Sequence, residues 1–293
     1  MSKSWLLPAV LFAACASSDP PAERQRARDW RTLTSTRQFA GEKSLAAEVE
    51  YGAGTLTIAP AAAGTLYRSD LRYDGTQVQP EVSYTDGRFH FGMGRDGKHI
   101  SGNRHYGERN RLDLQFGPDA PLSLDLKFGA GKATIDLGGL DVAALSIATG
   151  ASESQVSFSK PTKGACQNID LQAGAAKMTV TGLGNLSPRS LSVQGGVGDV
   201  TLDFSGAWRN DLSAKIAMGI GSLQVNVPRG IGLRVNKTSM LASFDAPEMV
   251  KQGSTYVSQG YQSAQRHIEI DIDAAFGSIN VKWVGAAASG GSF

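Results

Sequence analysis

The chain has 293 residues, of which 41% are hydrophobic and 19% charged, and its formal net charge is +2. So small a net charge argues against a strong preference for polyanions such as nucleic acids. The length is sufficient for one elongated hydrophobic core, and 35 glycines suit a chain with many tight corners.

The first fifteen residues have the pattern of a bacterial lipoprotein signal. One lysine precedes an apolar run too short to span a bilayer, which predicts a signal peptide over residues 1–14. Residues 11–15 resemble a lipobox that ends in an acylated Cys15, although Phe12 stands where leucine is usual. We therefore expect a lipid-anchored cell-envelope protein, and Ala16 favours the outer membrane. The alternative is an ordinary cleaved signal with an incidental cysteine, which would give a secreted or periplasmic protein.

Residues 15–43 are rich in Ser, Pro, Ala and Arg and show no apolar period, which predicts a tether. Residues 44–123 are expected to hold a first repeat and a hairpin-rich cap, because the open end of a repeat array has to be covered. Asp74-Gly75 and Asp86-Gly87 are turn signals within this cap. The predicted cap strands are Thr65–Leu71, Val78–Thr85, Arg88–Gly92 and Leu112–Phe116.

A twelve-residue pattern, φ-x-φ-x-x-G-x-G-x-φ-x-φ with φ an apolar residue, recurs along the chain. Its apolar positions have the period of a half-buried strand, and its glycines allow a sharp corner. Copies start at Ala47, Leu124, Leu145, Ile169, Leu191, Ala214 and Ile270. The glycines at these corners are predicted to be structural: Gly52, Gly54, Gly129, Gly131, Gly196, Gly198, Gly219, Gly221 and Gly277.

The spacing of the copies predicts the architecture. From Leu124 to Ala214 the starts lie 21, 24, 22 and 23 residues apart, which is typical of stacked repeats that share one core. We predict an all-β fold in which residues 124–284 form a β-solenoid of coils of about 22 residues. A β-sandwich of hairpins would use the same alternation and is the alternative.

Two rows of outward positions favour stacking in register. One row alternates in charge from coil to coil, and in-register coils would place opposite charges side by side. It reads Lys132, Glu153, Lys177 and Asp199. The other row is polar and suited to hydrogen-bonded ladders. It reads Thr57, Thr134, Gln155, Thr179, Thr201, Gln224 and Asn280.

Two segments of the C-terminal part depart from the repeat. Residues 228–269 interrupt the period and suggest a long excursion with an apolar face. Residues 285–293 have no core pattern, which predicts a disordered tail.

The sequence carries no recognisable catalytic motif, and we predict a protein that is not an enzyme and needs no metal or cofactor. Cys166 lacks neighbours that would activate a nucleophile and is expected to be a buried structural thiol. A basic stretch of the cap could form an anion-binding surface, with a solvated loop as the alternative. Its members are Arg88, Arg95, Lys98, Arg104, Arg109 and Arg111.

Several segments resemble the toast-rack domain family, which includes LiaF-like cell-wall stress proteins and adhesin-type β-repeat proteins. The resemblance rests on residues 44–58, 72–94, 196–235 and 256–281, and it covers about 44–284. It implies a solenoid-like β domain that is often tethered to envelopes and has no known catalytic residues. LiaF-like proteins have membrane-spanning helices before this domain, whereas a signal and a cysteine precede it here, so their signalling role does not carry over.

These observations predict a non-catalytic envelope lipoprotein whose solenoid is an interaction or scaffold module, with a role in envelope stress as one expectation. The expected partners are an envelope protein or a surface polysaccharide, with the membrane held through the lipid and no nucleic acid. The alternative function is an adhesin or a protein that binds cell-surface polysaccharide.

Overall fold

The computed structural model describes residues 29–76, 78–94, 110–164 and 166–286. These residues form one 15-stranded sheet with a single short helix, α1 (Leu183–Leu186), and one 3-10 turn. The strands are β1 (Trp30–Gln38), β2 (Leu45–Pro60), β3 (Thr65–Asp74), β4 (Gln79–Thr85), β5 (Arg88–Gly94), β6 (Arg111–Phe116), β7 (Leu122–Asp136), β8 (Val142–Ser157), β9 (Asn168–Thr181), β10 (Ser190–Asp203), β11 (Leu212–Arg229), β12 (Gly232–Asp245), β13 (Met249–Gln252), β14 (Thr255–Ser258) and β15 (His267–Ala286).

Eight long strands stack side by side in the spatial order β2, β7, β8, β9, β10, β11, β15 and β12. Every neighbouring pair in this stack is parallel. Parallel neighbours require the chain to return to its starting edge after each strand, so each strand is one coil of a solenoid. The β-solenoid prediction is confirmed, and a sandwich of hairpins, which would pair antiparallel, is not what forms. All seven predicted copies are coils of this stack.

Each coil consists of two arms joined at the glycine corner, with a return segment that closes the third side. In β7, Leu122, Leu124, Leu126 and Phe128 point inward from the first arm, and Ile135 points inward from the second. The return segments contribute further buried side chains that close the core. They include Leu140, Phe158, Leu186 and Phe204.

The coils stack in register, as the two outward rows predict. Lys132 pairs with Glu153, Glu153 with Lys177, and Lys177 with Asp199. The polar row from Thr57 to Asn280 is continuous in the same way. Lys132 Nζ lies 3.4 Å from a carboxylate oxygen of Glu153, whereas Asp199 accepts a hydrogen bond of 2.8 Å from Ser222 Oγ.

Reversing the charge of Glu153 is expected to destabilise the stack slightly. Glu153→Lys places three like charges in a row, and exposed pairs of this kind contribute about 0.5 kcal/mol at low salt. Chemical denaturation should show a loss that shrinks as salt is added. Adding Lys132→Glu and Lys177→Glu should restore most of it, and strictly additive effects in the triple variant would contradict the coupling of neighbouring coils.

The N-terminal cap covers the first coil. The hairpin of β4 and β5 pairs through β5 with the first arm of β2, and β6 pairs with its second arm. The four predicted cap strands are present as β3, β4, β5 and β6. The predicted tether over residues 15–43 is wrong at its end, because β1 lies within it and pairs antiparallel with β3. β1 is an edge strand with no fully buried residue, so it lacks the apolar alternation that would have revealed it.

The excursion predicted over residues 228–269 contains an eighth coil. β12 pairs in parallel with β15 over both arms, and β15 in turn separates it from β11. The pattern search missed β12 because Met240 and Ala242 stand where the corner glycines would be. Ala242 lacks the positive φ of its neighbour Gly277, so the corner of this last coil has a different backbone conformation. β14 and β13 cover part of its first arm.

Candidate functional site

A groove of about 1230 Å³ runs along the corner of the solenoid. Every one of the eight stacked coils contributes to it, mainly through the last two residues of its first arm and its first corner residue. Neighbouring strands are about 4.8 Å apart, so the seven intervals between eight strands make the groove about 34 Å long. We refer to it as the corner groove.

The corner groove is aromatic at one end and lined by small residues in the middle. The rings of Tyr51 and Phe128 stack with centroids 5.9 Å apart and planes 7° from parallel. The next coils contribute Thr149, Ala173 and Gly195 at the same position. The side chain of Met218 fills the space that a Cβ at residue 195 would occupy. A repeating backbone corner with few bulky side chains therefore forms the groove.

Charges lie near the two ends of the corner groove. At the aromatic end Lys127 Nζ donates a hydrogen bond of 2.7 Å to Glu50, which lowers the pKa of that carboxyl. Asp273 lies toward the other end. The hydroxyl of Tyr51 is buried without a hydrogen-bond partner among the described residues, and burial raises the pKa of this phenol. The middle of the groove presents the amides of Gln172 and Gln194, which are neighbours in register.

A second surface feature lies on the corner itself. The residue between the two corner positions is Val197 in β10, Ile220 in β11, Phe276 in β15 and Leu241 in β12. These side chains are 45% to 73% exposed, and the adjoining Met240 is 80% exposed. We call these five residues the corner ridge. Sequence reasoning missed it because the pattern leaves this slot unspecified, although its change from Ala to Val, Ile and Phe along the copies is visible in the sequence.

The predicted anion-binding surface is not assembled by the residues that the structure describes. Arg95, Lys98, Arg104 and Arg109 lie outside the described residues. Arg88 is alongside the first arm of β2 and Arg111 alongside the second. Arg111 donates hydrogen bonds of 2.7 and 3.0 Å to Asp113, so its charge is already compensated.

The remaining predictions concern Cys166, metal ions, membrane-spanning helices and the two termini. Cys166 is fully buried, and burial raises the pKa of its thiol to about 12, which fits an unreactive structural cysteine. Within the described ranges, no group of three or more His, Cys, Asp or Glu side chains could hold a metal ion. No described helix is long and apolar enough to cross a membrane. The predicted signal peptide with Cys15, and residues 287–293 of the predicted tail, lie outside the described residues. The tail prediction is wrong at its start, because Gly285 and Ala286 belong to β15.

The return side of the solenoid carries a polar network that the sequence did not reveal. Ser187 is completely buried with φ of 51°, and its Oγ accepts hydrogen bonds from the backbone N–H groups of Arg209 (2.9 Å) and Asn210 (3.0 Å). The Arg209 guanidinium donates to the carbonyl oxygens of Thr162 (3.0 Å) and Gly164 (2.8 Å). This network joins the return segments of three successive coils, so its role is structural.

A family model decides the classification of this fold. The model described as "N-terminal domain of toast_rack, DUF2154" matches residues 23–181 and 166–226, more than half of the chain. The chain belongs to the toast-rack family. The predicted resemblance is thereby confirmed, and the match includes the cap and most of the toast-rack coils. No curated protein matches the chain.

Three solved structures to which the chain is similar come from bacteria of three species. A "putative cell adhesion protein" from Clostridium sporogenes is 18% identical, with 87% of this chain and 100% of that chain covered and a TM-score of 0.45. A "putative adhesin" from Bacteroides fragilis is 12% identical, with 86% and 97% covered and a TM-score of 0.41. A "putative lipid binding protein" from Parabacteroides distasonis is 13% identical, with 86% and 96% covered and a TM-score of 0.36.

Proposed function

We propose that this toast-rack protein is a non-catalytic binding module of the cell envelope that holds an elongated partner in its corner groove. The observation that carries the proposal is the continuity of the groove, to which all eight stacked coils contribute. A rigid, repetitive surface of this length suits a partner that is itself extended. The family match supports a surface interaction module, and the absence of a recognisable catalytic motif agrees with it.

We further propose that the module is anchored by a lipid on Cys15. The apolar run that ends in Ala13-Ala14-Cys15 supports this proposal. Two acyl chains provide stable membrane residence, whereas one is marginal. An anchored module with a binding groove would act as a scaffold at the envelope surface.

The function is tested by filling the corner groove without disturbing the core. Ala217 is exposed and lines the groove, whereas Ser213 is exposed on the same face of β11, four residues earlier and outside the groove. Ala217→Trp is therefore expected to remove a partner recovered from crosslinked envelopes, and Ser213→Trp to retain it. Equal recovery by both variants, at unchanged melting temperature, would show that the groove is not the binding site.

Detergent partitioning tests the lipid anchor separately from the groove. Cys15→Ser should move the protein out of the detergent phase or block its processing, because the thiol is the proposed site of acylation. Ala217→Trp should leave detergent partitioning unchanged. If Cys15→Ser still partitions into detergent, the lipid anchor is wrong and the groove proposal stands by itself.

A surface polysaccharide is the second candidate partner, favoured by the paired amides of Gln172 and Gln194 in the middle of the groove. Amide side chains can donate to and accept from sugar hydroxyls. A glycan array with the parent and with Ala217→Trp discriminates the two candidates. If the parent binds a glycan and Ala217→Trp does not, the partner is a polysaccharide. If neither gives a glycan signal, the partner is a protein.

A further inference from the structure

We infer that the corner ridge is the interface for a second copy of this chain. The described residues include six exposed large hydrophobic side chains, and five of them form the ridge. They are contiguous, because Val197 pairs with Ile220, Ile220 with Phe276, and Phe276 with Leu241. Concentration of exposed apolar side chains in one patch marks an interaction surface, whereas scattered ones do not. This inference goes beyond the proposed function: the two surfaces share only Met240, and Ile220, which the test replaces, does not line the corner groove.

The ridge is not a requirement of the fold. The same slot between the corner positions holds alanine in the first four coils of the stack, at Ala53, Ala130, Ala151 and Ala175. These coils form the same corner with a small side chain. Large apolar side chains are therefore confined to one end of the stack, where they make no contribution to the core. Their position is therefore explained by contact with another molecule rather than by the fold of one copy.

A second copy matches the ridge in shape. The ridge is a straight row with the spacing of strands, about 4.8 Å, and only a surface with the same period interdigitates along its whole length. Two copies that pack ridge to ridge in antiparallel orientation satisfy this condition. The arrangement has two-fold symmetry and closes, so neither copy retains a free ridge. In it, Ile220 of each copy lies near the centre of the contact.

The area and the charges agree with self-association. The five ridge side chains expose roughly 500 Å² of apolar surface per copy, less than the roughly 800 Å² per partner of a standard interface, so the expected dimer is a weak one. Within two residues of the four slot residues along the chain, Asp199 is the only charged residue, and it is hydrogen-bonded to Ser222. Lys237 Nζ also lies at the ridge, where it donates a hydrogen bond of 3.3 Å to the carbonyl oxygen of Ala242. Both charged groups therefore keep a hydrogen-bond partner within their own copy when two such surfaces meet. A patch for anionic membranes would instead be surrounded by Lys and Arg.

The test is the concentration dependence of mass for the full chain. Sedimentation velocity should show a monomer–dimer equilibrium with a dissociation constant on the order of 10 µM, because the interface lies at the small end of the stable range. Ile220→Lys and Ile220→Glu should each weaken association at least tenfold, since each buries two like charges near the two-fold axis. An equal mixture of the two variants should recover association. Ala53→Lys occupies the same slot at the other end of the stack and should leave the equilibrium unchanged.

Three results would overturn the inference. The first is a parent chain that stays monomeric at all concentrations. The second is a dimer that Ile220→Lys leaves intact while its melting temperature matches the parent. The third is a monomer that floats with neutral phosphatidylcholine vesicles and loses this binding in Ile220→Lys, which would assign the ridge to a membrane instead.

Discussion

Replacing Gly221 with alanine is expected to lower the free energy of unfolding by about 3 kcal/mol, through backbone strain and overpacking together. Gly221 has φ of 147°, which is unfavourable for a residue with a Cβ. A Cβ at this position would also overlap the carbonyl oxygen of Gly198 in the preceding coil. Stacking in register produces this overlap, because the corner carbonyl of each coil points at the corner of the next. Chemical denaturation monitored by circular dichroism measures the loss.

Three other glycines separate the two causes. A Cβ at Gly219 would overlap the carbonyl oxygen of Gly196 at an ordinary φ, so Gly219→Ala isolates the overlap and should cost about 2 kcal/mol. Gly230 has φ of 94° with open space around it, so Gly230→Ala isolates the strain and should cost about 1 kcal/mol. Gly52 has neither constraint because no coil precedes it at the corner, and Gly52→Ala should be neutral or slightly stabilising. If all four variants have the same free energy of unfolding, the corners are not constrained by stacking.

The structure already shows what a side chain at the corner does. Ser152 and Ala176 replace the second glycine in β8 and β9, and neither residue has a positive φ. β8 and β9 do not pair at the corner: the ladder stops after the pair of Thr149 and Ala173 and resumes at the pair of Glu153 and Lys177. The backbone can therefore adjust to a side chain by giving up hydrogen bonds at the corner. This adjustment limits the expected cost of a single substitution to a few kcal/mol.

Removal of the Ser187 hydroxyl is expected to lower the free energy of unfolding by about 2 kcal/mol, because two partly buried backbone N–H groups lose their acceptor. These are the N–H groups of Arg209 and Asn210 in the next return segment. Ser187→Ala has the same backbone preferences as the parent to a first approximation, so the effect reports on the hydrogen bonds. Thermal and chemical denaturation should agree on the loss.

A matched control for Ser187→Ala is Ser213→Ala, because Ser213 is exposed on the outer face of β11. The control should change the stability by less than about 0.5 kcal/mol. Arg209→Lys tests the same network from its other side. It should also lower the stability, since lysine cannot reproduce the forked donation to Thr162 and Gly164. The loss should be smaller than that of Ser187→Ala, because Arg209 is exposed. Equal stability of Ser187→Ala and the control would mean that water satisfies the two N–H groups.

Much of the fold is predictable because its information is local. Alternation of apolar residues specifies strands with one buried face, and paired glycines specify corners, so the seven coils and their register follow from the copies that start at Ala47 through Ile270. The two outward rows add the expectation that identical slots stack. The edge strand β1 and the eighth coil β12 escape the same reasoning, because β1 has no fully buried residue and β12 has Met240 and Ala242 in place of the corner glycines.

The sequence by itself determined the coil, its corner and its register, because these depend on which residues within a few positions can be buried or can approach a neighbouring backbone. Only the tertiary structure decided that β15 inserts between β11 and β12, since spatial order within a sheet depends on which edges are free when each strand docks. The corner groove and the corner ridge belong to the same category. Both arise from equivalent residues of successive coils brought into line by stacking, and residues such as Ile220 and Phe276, 56 positions apart, become neighbours only when the coils are assembled.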